Sequence, residues 1–139
     1  MQIDTSTEFG ARVVRRLQDE IIIWLTTVAA DGTPAPRPVW FLWTGTEFLI
    51  YSQPRTAKLR HLARDPRVAL HFNSDDQGGN VVVFTGTARV DAAAPPADRE
   101  AAYLAKYRTH IQQIGMTPES FARAYAVAIR VTPEVLRGH

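Results

Sequence analysis

Residues 50–66 read IYSQPRTAKLRHLARDP, the end of an apolar run followed by a short basic segment. The run breaks before Thr56, which suits a helix N-cap, and the Asp-Pro pair closes a helix predicted over 56–64. A helix start presents unpaired backbone N–H groups and a partial positive charge, so anions bind there readily. Arg55 and Lys58 lie at this start. The segment is therefore a candidate phosphate site, and a solvated basic helix face is the alternative interpretation.

Basic residues are concentrated in this segment. The 139-residue chain has a formal net charge of +2, whereas residues 55–67 contain five Arg or Lys residues and one Asp. A net charge this small does not by itself indicate nucleic acid, and we expect no nucleic-acid partner. Cysteine is absent, which excludes disulfides, thiolate chemistry and Cys-bound metal.

Length and composition predict one domain over residues 1–139. Apolar residues make up 45% of the chain, and no apolar run reaches the roughly 18 residues that span a bilayer. The first ten residues, MQIDTSTEFG, lack the charged-then-apolar pattern of a signal peptide. We therefore expect a cytoplasmic protein with no membrane partner.

The apolar pattern predicts six strands and three or four short helices. The strands are expected at 21–29, 35–43, 47–52, 67–72, 81–90 and 126–131. The first three would form an antiparallel meander with turns at DGT and TGTE. Gly86 marks a bulge or a close backbone approach, and Pro133 ends the last strand. Since strands and helices do not alternate regularly, the predicted fold class is mainly β with short helices (α+β), a six-stranded antiparallel barrel with helices at its ends.

Helices are expected at four places. The first is at 7–20 with Thr7 as its cap, and the second is at 56–64. The third follows the paired prolines at 95 and 96, and the fourth starts at Thr117. Tyr103 and Tyr107 share one face of the third helix, which assigns them to the core rather than to catalysis.

The stretch TPAPRPVW (33–40) has proline at positions 34, 36 and 38. Alternate residues of a strand direct their N–H groups to one side, and proline has no N–H, so this pattern predicts an edge strand. Two interpretations are open: an edge protected against aggregation, or an open edge where a planar ligand lies beside the backbone. Trp40, Phe41 and Trp43 follow and would wall such a slot, although Trp40 and Phe41 point to opposite faces.

The order of these features resembles a known family. Tyr51-Ser52, Lys58, Leu62, Asp65-Pro66 and the strand VAL (68–70) follow the pattern of the pyridoxamine 5'-phosphate oxidase-like, FMN-binding split β-barrel superfamily. The segments LTTVAADGTPAPRPVWFLWTG and AKLRHLARDPRVAL are more specifically similar to the actinobacterial branch that uses the deazaflavin coenzyme F420. The resemblance covers about residues 8 to 131.

The resemblance implies a homodimer with the cofactor at the interface between two barrels. Lys58 would bind the cofactor phosphate, assisted by Arg55, Thr56 and Ala57. Ala57 stands where the FMN oxidases often have an arginine, and Arg55 would substitute for it. Carried over in the same way, the remaining contacts to phosphate, ribityl chain and ring would come from Tyr51, Ser52, Gln53, Pro38, Val39 and Trp40.

The resemblance also implies the function. We expect a cofactor-dependent oxidoreductase that binds F420 and passes a hydride to a small electron-poor acceptor, such as an enone or a quinone-like ring. The alternatives are an FMN-dependent oxidoreductase of the same fold, and a non-enzymatic module that holds flavin or haem for storage or sensing. The chain lacks the longer basic tail of the true pyridoxamine phosphate oxidases, so oxidation of a B6 vitamer is not expected.

No catalytic side chain can be assigned from the sequence. No Ser-His-Asp order stands out, and hydride chemistry belongs to the cofactor. The four histidines, His61, His71, His110 and His139, lack metal-binding spacing, so no metal is expected. For His71 a structural role is expected, with a role in a pocket as the alternative.

Overall fold

Seven strands form one antiparallel sheet with four α-helices around it in the computed structural model, which describes residues 1–139. The strands are β1 (Ile22–Val28), β2 (Pro34–Trp40), β3 (Leu42–Trp43), β4 (Phe48–Ser52), β5 (Arg67–His71), β6 (Val82–Val90) and β7 (Val127–Gly138). The helices are α1 (Glu8–Asp19), α2 (Ala57–Arg64), α3 (Ala101–Gln113) and α4 (Pro118–Ala124), with a 3₁₀ turn at Ala97–Arg99. None of these helices has the length and hydropathy that a membrane crossing requires.

One residue, Phe41, joins strands at opposite edges of the sheet. The strand order is β2-β1-β5-β6-β7-β4-β3, so β2 and β3 are its two ends. Strands lie about 4.8 Å apart, which would separate the edges of a flat seven-stranded sheet by roughly 29 Å. The chain from Trp40 to Leu42 can span only about 7 Å. The sheet therefore curls until its edges approach each other at Phe41, and this split, incompletely closed barrel confirms the predicted mainly β class.

The predicted number of strands is wrong, because the strand expected at 35–43 is interrupted at Phe41. The predicted meander is confirmed only as two separate hairpins, β1 with β2 and β3 with β4, which lie at opposite ends of the strand order. β2 pairs only with β1, whereas β4 pairs with β3 and β7. The proline ladder accounts for this, since the outer side of β2 has no N–H groups at alternate positions to offer a third strand. The two predicted turns are confirmed, with φ of +87° at Gly32 and +102° at Gly45.

β7 continues to Gly138, so the prediction that Pro133 ends the last strand is wrong. The predicted bulge lies where Gly86 faces Pro133: Thr85 pairs with Val135 and Gly86 with Pro133, so Glu134 of β7 is the extra residue. A Cβ on Gly86 would lie 2.1 Å from the Thr132 carbonyl oxygen, so only glycine fits this close approach. Proline is tolerated here because the bulge already interrupts the ladder of hydrogen bonds.

Helix α3 satisfies the backbone of Phe41, which lies outside both strands. The Phe41 N–H donates to the Tyr107 hydroxyl oxygen at 2.8 Å, and the Lys106 ammonium donates to the Phe41 carbonyl at 2.9 Å. The same hydroxyl lies 2.7 Å from the Ile21 carbonyl and 3.0 Å from the Phe41 carbonyl, and its one proton donates to one of them at a time. We call this group of contacts the seam.

Two apolar clusters lie on opposite sides of the seam. The larger fills the barrel and contains Phe41, which is completely buried. The smaller lies between the sheet and helices α3 and α4, with Trp40 packed against it. Trp40 stacks on Tyr107 with ring centroids 4.7 Å apart and planes 5° apart. Consecutive aromatic residues thus serve different clusters, as their alternation along the chain predicts.

We expect Tyr107→Phe to lower the free energy of unfolding by about 1–3 kcal/mol, because the buried Phe41 N–H loses its acceptor. Urea unfolding would measure the change. The control Tyr125→Phe removes the hydroxyl of a partly exposed tyrosine that takes no part in the hydrogen bonds of the seam, and should change stability by less than about 0.5 kcal/mol. Equal effects of the two substitutions would contradict the proposed importance of the seam.

The ammonium at the seam should make stability depend on pH. Burial lowers the pKa of Lys106 to about 8, against an ordinary value of 10.5, despite the opposing influence of Asp19 and Glu20. Below pH 8 both the folded and the unfolded state hold the proton. Between about 8 and 10.5 the folded state loses the proton first, so stability should rise with pH. Lys106→Met should show less of this rise in urea titrations from pH 7 to 10. Parallel profiles for the two proteins would contradict this account.

Candidate functional site

A cleft of about 520 Å³ lies along the split between the edge of β2 and the start of α2. Three groups of residues line it. β1 and β2 contribute Ile22, Arg37, Pro38, Val39 and Trp40. The end of β4 and the following loop and helix contribute Tyr51, Ser52, Gln53, Thr56 and Lys58. The segments at and after α3 and α4 contribute Tyr103, Ile114, Phe121 and Tyr125.

Eight of the ten predicted cofactor-binding residues line this one cleft. They come from β2, from the end of β4 and from the start of α2, which are distant in the chain but adjacent in the curled sheet. Arg55 and Ala57 do not line it. Their contribution to binding, like that of the other eight residues, stays a prediction.

Two cations enter the cleft, and no Asp or Glu lines it. Lys58 is half-buried, and its pKa is lowered first by burial and then by the positive charge of Arg37. Neither side chain forms a salt bridge within the chain. Arg37 is exposed, but its charge acts on the half-buried Lys58, so an anion bound between the two cations would relieve their repulsion. Sequence reasoning missed Arg37, although its position between two prolines of an edge strand was a signal.

The first turn of α2 has no side-chain cap. Thr56 occupies the predicted N-cap position, but its side chain makes no capping hydrogen bond. The Ser52 hydroxyl donates to the Gln53 carbonyl at 2.8 Å, so the Thr56 hydroxyl, 3.3 Å away, is the donor to Ser52. The first N–H groups of the helix therefore lack a side-chain acceptor.

Arg55 precedes this turn in a left-handed conformation. Its φ is +61°, which is uncommon for a residue with a Cβ. Its carbonyl accepts a hydrogen bond from the Arg60 guanidinium at 3.0 Å. Arg55 and Arg60 thus lie together outside the cleft, near its cationic side.

The outer edge of β2 presents acceptors and no donors at its alternate proline positions. Pro34, Pro36 and Pro38 face Val28, Thr26 and Trp24 of β1. Because proline cannot donate, the ladder bonds to β1 must come from the residues between the prolines, and the proline carbonyls point outward. This arrangement confirms the predicted edge strand.

Aromatic rings from the helical side form the opposite wall. Phe121 stacks on Tyr125 with centroids 4.4 Å apart, and Trp40 stacks on Phe121 with centroids 5.5 Å apart. Tyr103, Phe121 and Tyr125 were not predicted to be cleft residues, because their helical spacing resembles that of an ordinary core face. Phe41 and Trp43 do not wall the slot as expected, because Phe41 is buried in the barrel and Trp43 packs on Phe48.

No histidine lines the cleft. His61 Nδ1 lies 2.8 Å from the buried Thr27 hydroxyl and ties α2 to β1. His71 stacks on Trp24 beside a second, shallower hollow on another part of the sheet, so it has both a packing contact and a place at a pocket.

The model of the family described as pyridoxamine 5'-phosphate oxidase matches residues 9–139, and the chain belongs to this family. Solved structures with the same fold include an F420 reductase, at 23% identity and a TM-score of 0.68, covering 88% of this chain and 94% of that one. A conserved hypothetical protein from Mycobacterium tuberculosis has 20% identity and a TM-score of 0.72, with coverages of 94% and 82%. The haem storage protein HutZ from Vibrio cholerae has 16% identity and a TM-score of 0.64, with coverages of 99% and 95%.

Proposed function

We propose that this protein is an oxidoreductase that binds coenzyme F420 in the cleft and serves the reduction of a small electron-poor acceptor. One observation carries the proposal: two unpaired cations, Arg37 and Lys58, share a cleft with an uncapped helix start and a wall of aromatic rings. Phosphate suits the cationic side and a flat ring system suits the aromatic side. The residues present therefore fit a phosphate-bearing flavin or deazaflavin.

The chain's own residues would bind, orient and shield such a cofactor. Lys58 and the first N–H groups of α2 would hold the phosphate, with Arg37 approaching from β2. The edge of β2 at Pro38 and Val39 would lie along the ring, and the rings of α4 would exclude water from the other side. The bound cofactor supplies the hydride chemistry.

FMN is the alternative cofactor for the same site, because it also joins a phosphate to a tricyclic ring. Two observations favour F420. The sequence resembles the F420-using branch, and Arg55 and Arg60 add positive charge outside the cleft, where a longer anionic tail would emerge. A storage module for haem is the rival from another class. Histidine is a frequent haem ligand and none lines the cleft, which favours the flavin-type proposal.

Titration with F420, FMN and riboflavin, which is FMN without its phosphate, tests the phosphate site. We expect Lys58→Met and Arg37→Met to weaken F420 and FMN binding by about 10- to 100-fold, since hydrogen bonds to charged groups contribute about 1.5–3 kcal/mol. Riboflavin binding should change little. Arg60→Met, which removes a charge outside the cleft, is the matched control and should weaken FMN binding by less than about threefold.

Failure of the wild-type protein to bind either cofactor at tens of micromolar would defeat the proposal. An equal loss of riboflavin and FMN binding in Lys58→Met would mean that Lys58 does not bind the phosphate. Tight binding without turnover of reduced cofactor by any enone or quinone would favour storage over catalysis.

We also propose that the protein acts as a homodimer with the cleft near the interface. Ile22 and Ile114 line the cleft yet are 37% and 50% exposed, so large apolar side chains stand at its rim. A second copy would cover them. Sedimentation equilibrium should give twice the monomer mass, and Ile22→Arg should lower it. Val90→Arg changes a side chain that is 52% exposed elsewhere and is the control. A monomeric wild-type protein would overturn this proposal.

A further inference from the structure

Tyr103 has a hydroxyl that the protein leaves without a partner. The side chain is 1% exposed, and its ring packs against Tyr51 and Tyr107 with centroids 4.8 Å from each. The Tyr51 hydroxyl donates to the Pro95 carbonyl at 2.7 Å, and the Tyr107 hydroxyl belongs to the seam. The hydroxyl of Tyr103 makes no hydrogen bond within the chain, although both neighbouring hydroxyls do.

The exposed part of this hydroxyl faces the cleft. Among side-chain nitrogen and oxygen atoms fully shut off from the surface, only His110 Nδ1 lacks a hydrogen-bond partner. The Tyr103 oxygen also lacks one, so it must retain the small exposed area that this residue has. Tyr103 lines the cleft, and that area therefore faces the space where a ligand would lie. A nearly buried hydroxyl without a partner destabilises the ligand-free protein, and an arriving acceptor atom would offset that cost.

The chemistry of the group restricts what it can recognise. Burial raises the pKa of Tyr103 far above the ordinary value of 10, and the neighbouring Tyr107, Tyr51 and Tyr125 raise it further. The phenol is therefore protonated at every physiological pH and offers one donor. Its surroundings are rings, with Phe121 at 6.1 Å and an interplanar angle of 29°. An uncharged oxygen on a flat, apolar ring matches both the donor and the wall.

We propose that the Tyr103 hydroxyl donates a hydrogen bond to a ring carbonyl oxygen of the molecule bound in the cleft. The proposal rests on the proposed function, because flavins, deazaflavins and quinone-like acceptors all carry such oxygens. The carbonyl belongs either to the cofactor ring or to the acceptor. Tyr103 is then a ligand-binding residue, contributed by α3 on the side opposite β2.

The test compares Tyr103→Phe with Tyr107→Phe, since each substitution removes one hydroxyl from neighbouring rings of α3. In the ligand-free protein, Tyr103→Phe should keep or raise the melting temperature, whereas Tyr107→Phe should lower it. F420 and FMN are titrated by fluorescence, and the quinone menadione is titrated separately by quenching of tryptophan fluorescence without cofactor. Tyr103→Phe should weaken binding by about three- to tenfold in one of these titrations, as loss of one neutral hydrogen bond predicts.

The outcomes separate the two sources of the carbonyl. Weaker cofactor binding, with a shifted absorption maximum of the bound cofactor, assigns the bond to the cofactor ring. Unchanged cofactor binding with weaker menadione binding assigns it to the acceptor. Unchanged affinity in both titrations overturns the inference, and so does a loss of stability as large as that of Tyr107→Phe. Wild-type protein that binds neither cofactor defeats the proposed function, while the menadione and stability measurements still decide the role of Tyr103.

Discussion

The chain passes from one edge of the sheet to the other in a single residue, and much of the fold follows from that step. Phe41 can do this only if the sheet curls, because its neighbours belong to the first and last strands in the order. Its backbone then leaves the ladder inside an apolar environment, where unpaired groups are costly. Tyr107 and Lys106 supply the missing partners. Helix α3 is thereby fixed to the place where the barrel almost closes.

The same step creates the cleft. If the two edges met over their whole length, the barrel would be closed and no unpaired strand would border a cavity. The two edges are joined through Phe41 but do not pair, which leaves β2 exposed on one side and the end of β4 with the start of α2 on the other. The cations come from β2 and α2, and the rings come from the segments after the seam. A polar wall and an apolar wall are thus brought together by strand order rather than by sequence proximity.

Local chemistry made parts of this arrangement predictable. The proline ladder, the glycine turns, the bulge at Gly86 and the start of α2 each depend on residues close together in the chain. The break at Phe41 was not predictable in this way, because its partners on α3 lie more than sixty residues further along. Arg37 and the rings at Tyr103 and Phe121 become cleft residues only once the sheet has curled. Pro133 was misinterpreted because its tolerance depends on the glycine that faces it across the sheet.

The outward carbonyls of β2 have a consequence for the water in the cleft. Toward the proline positions of this edge a water molecule can act only as a hydrogen-bond donor. A flat ligand with a single N–H aimed at the edge would replace one such molecule. The edge that cannot pair with a further strand therefore selects, by the same lack of N–H groups, ligands that donate a hydrogen bond to it.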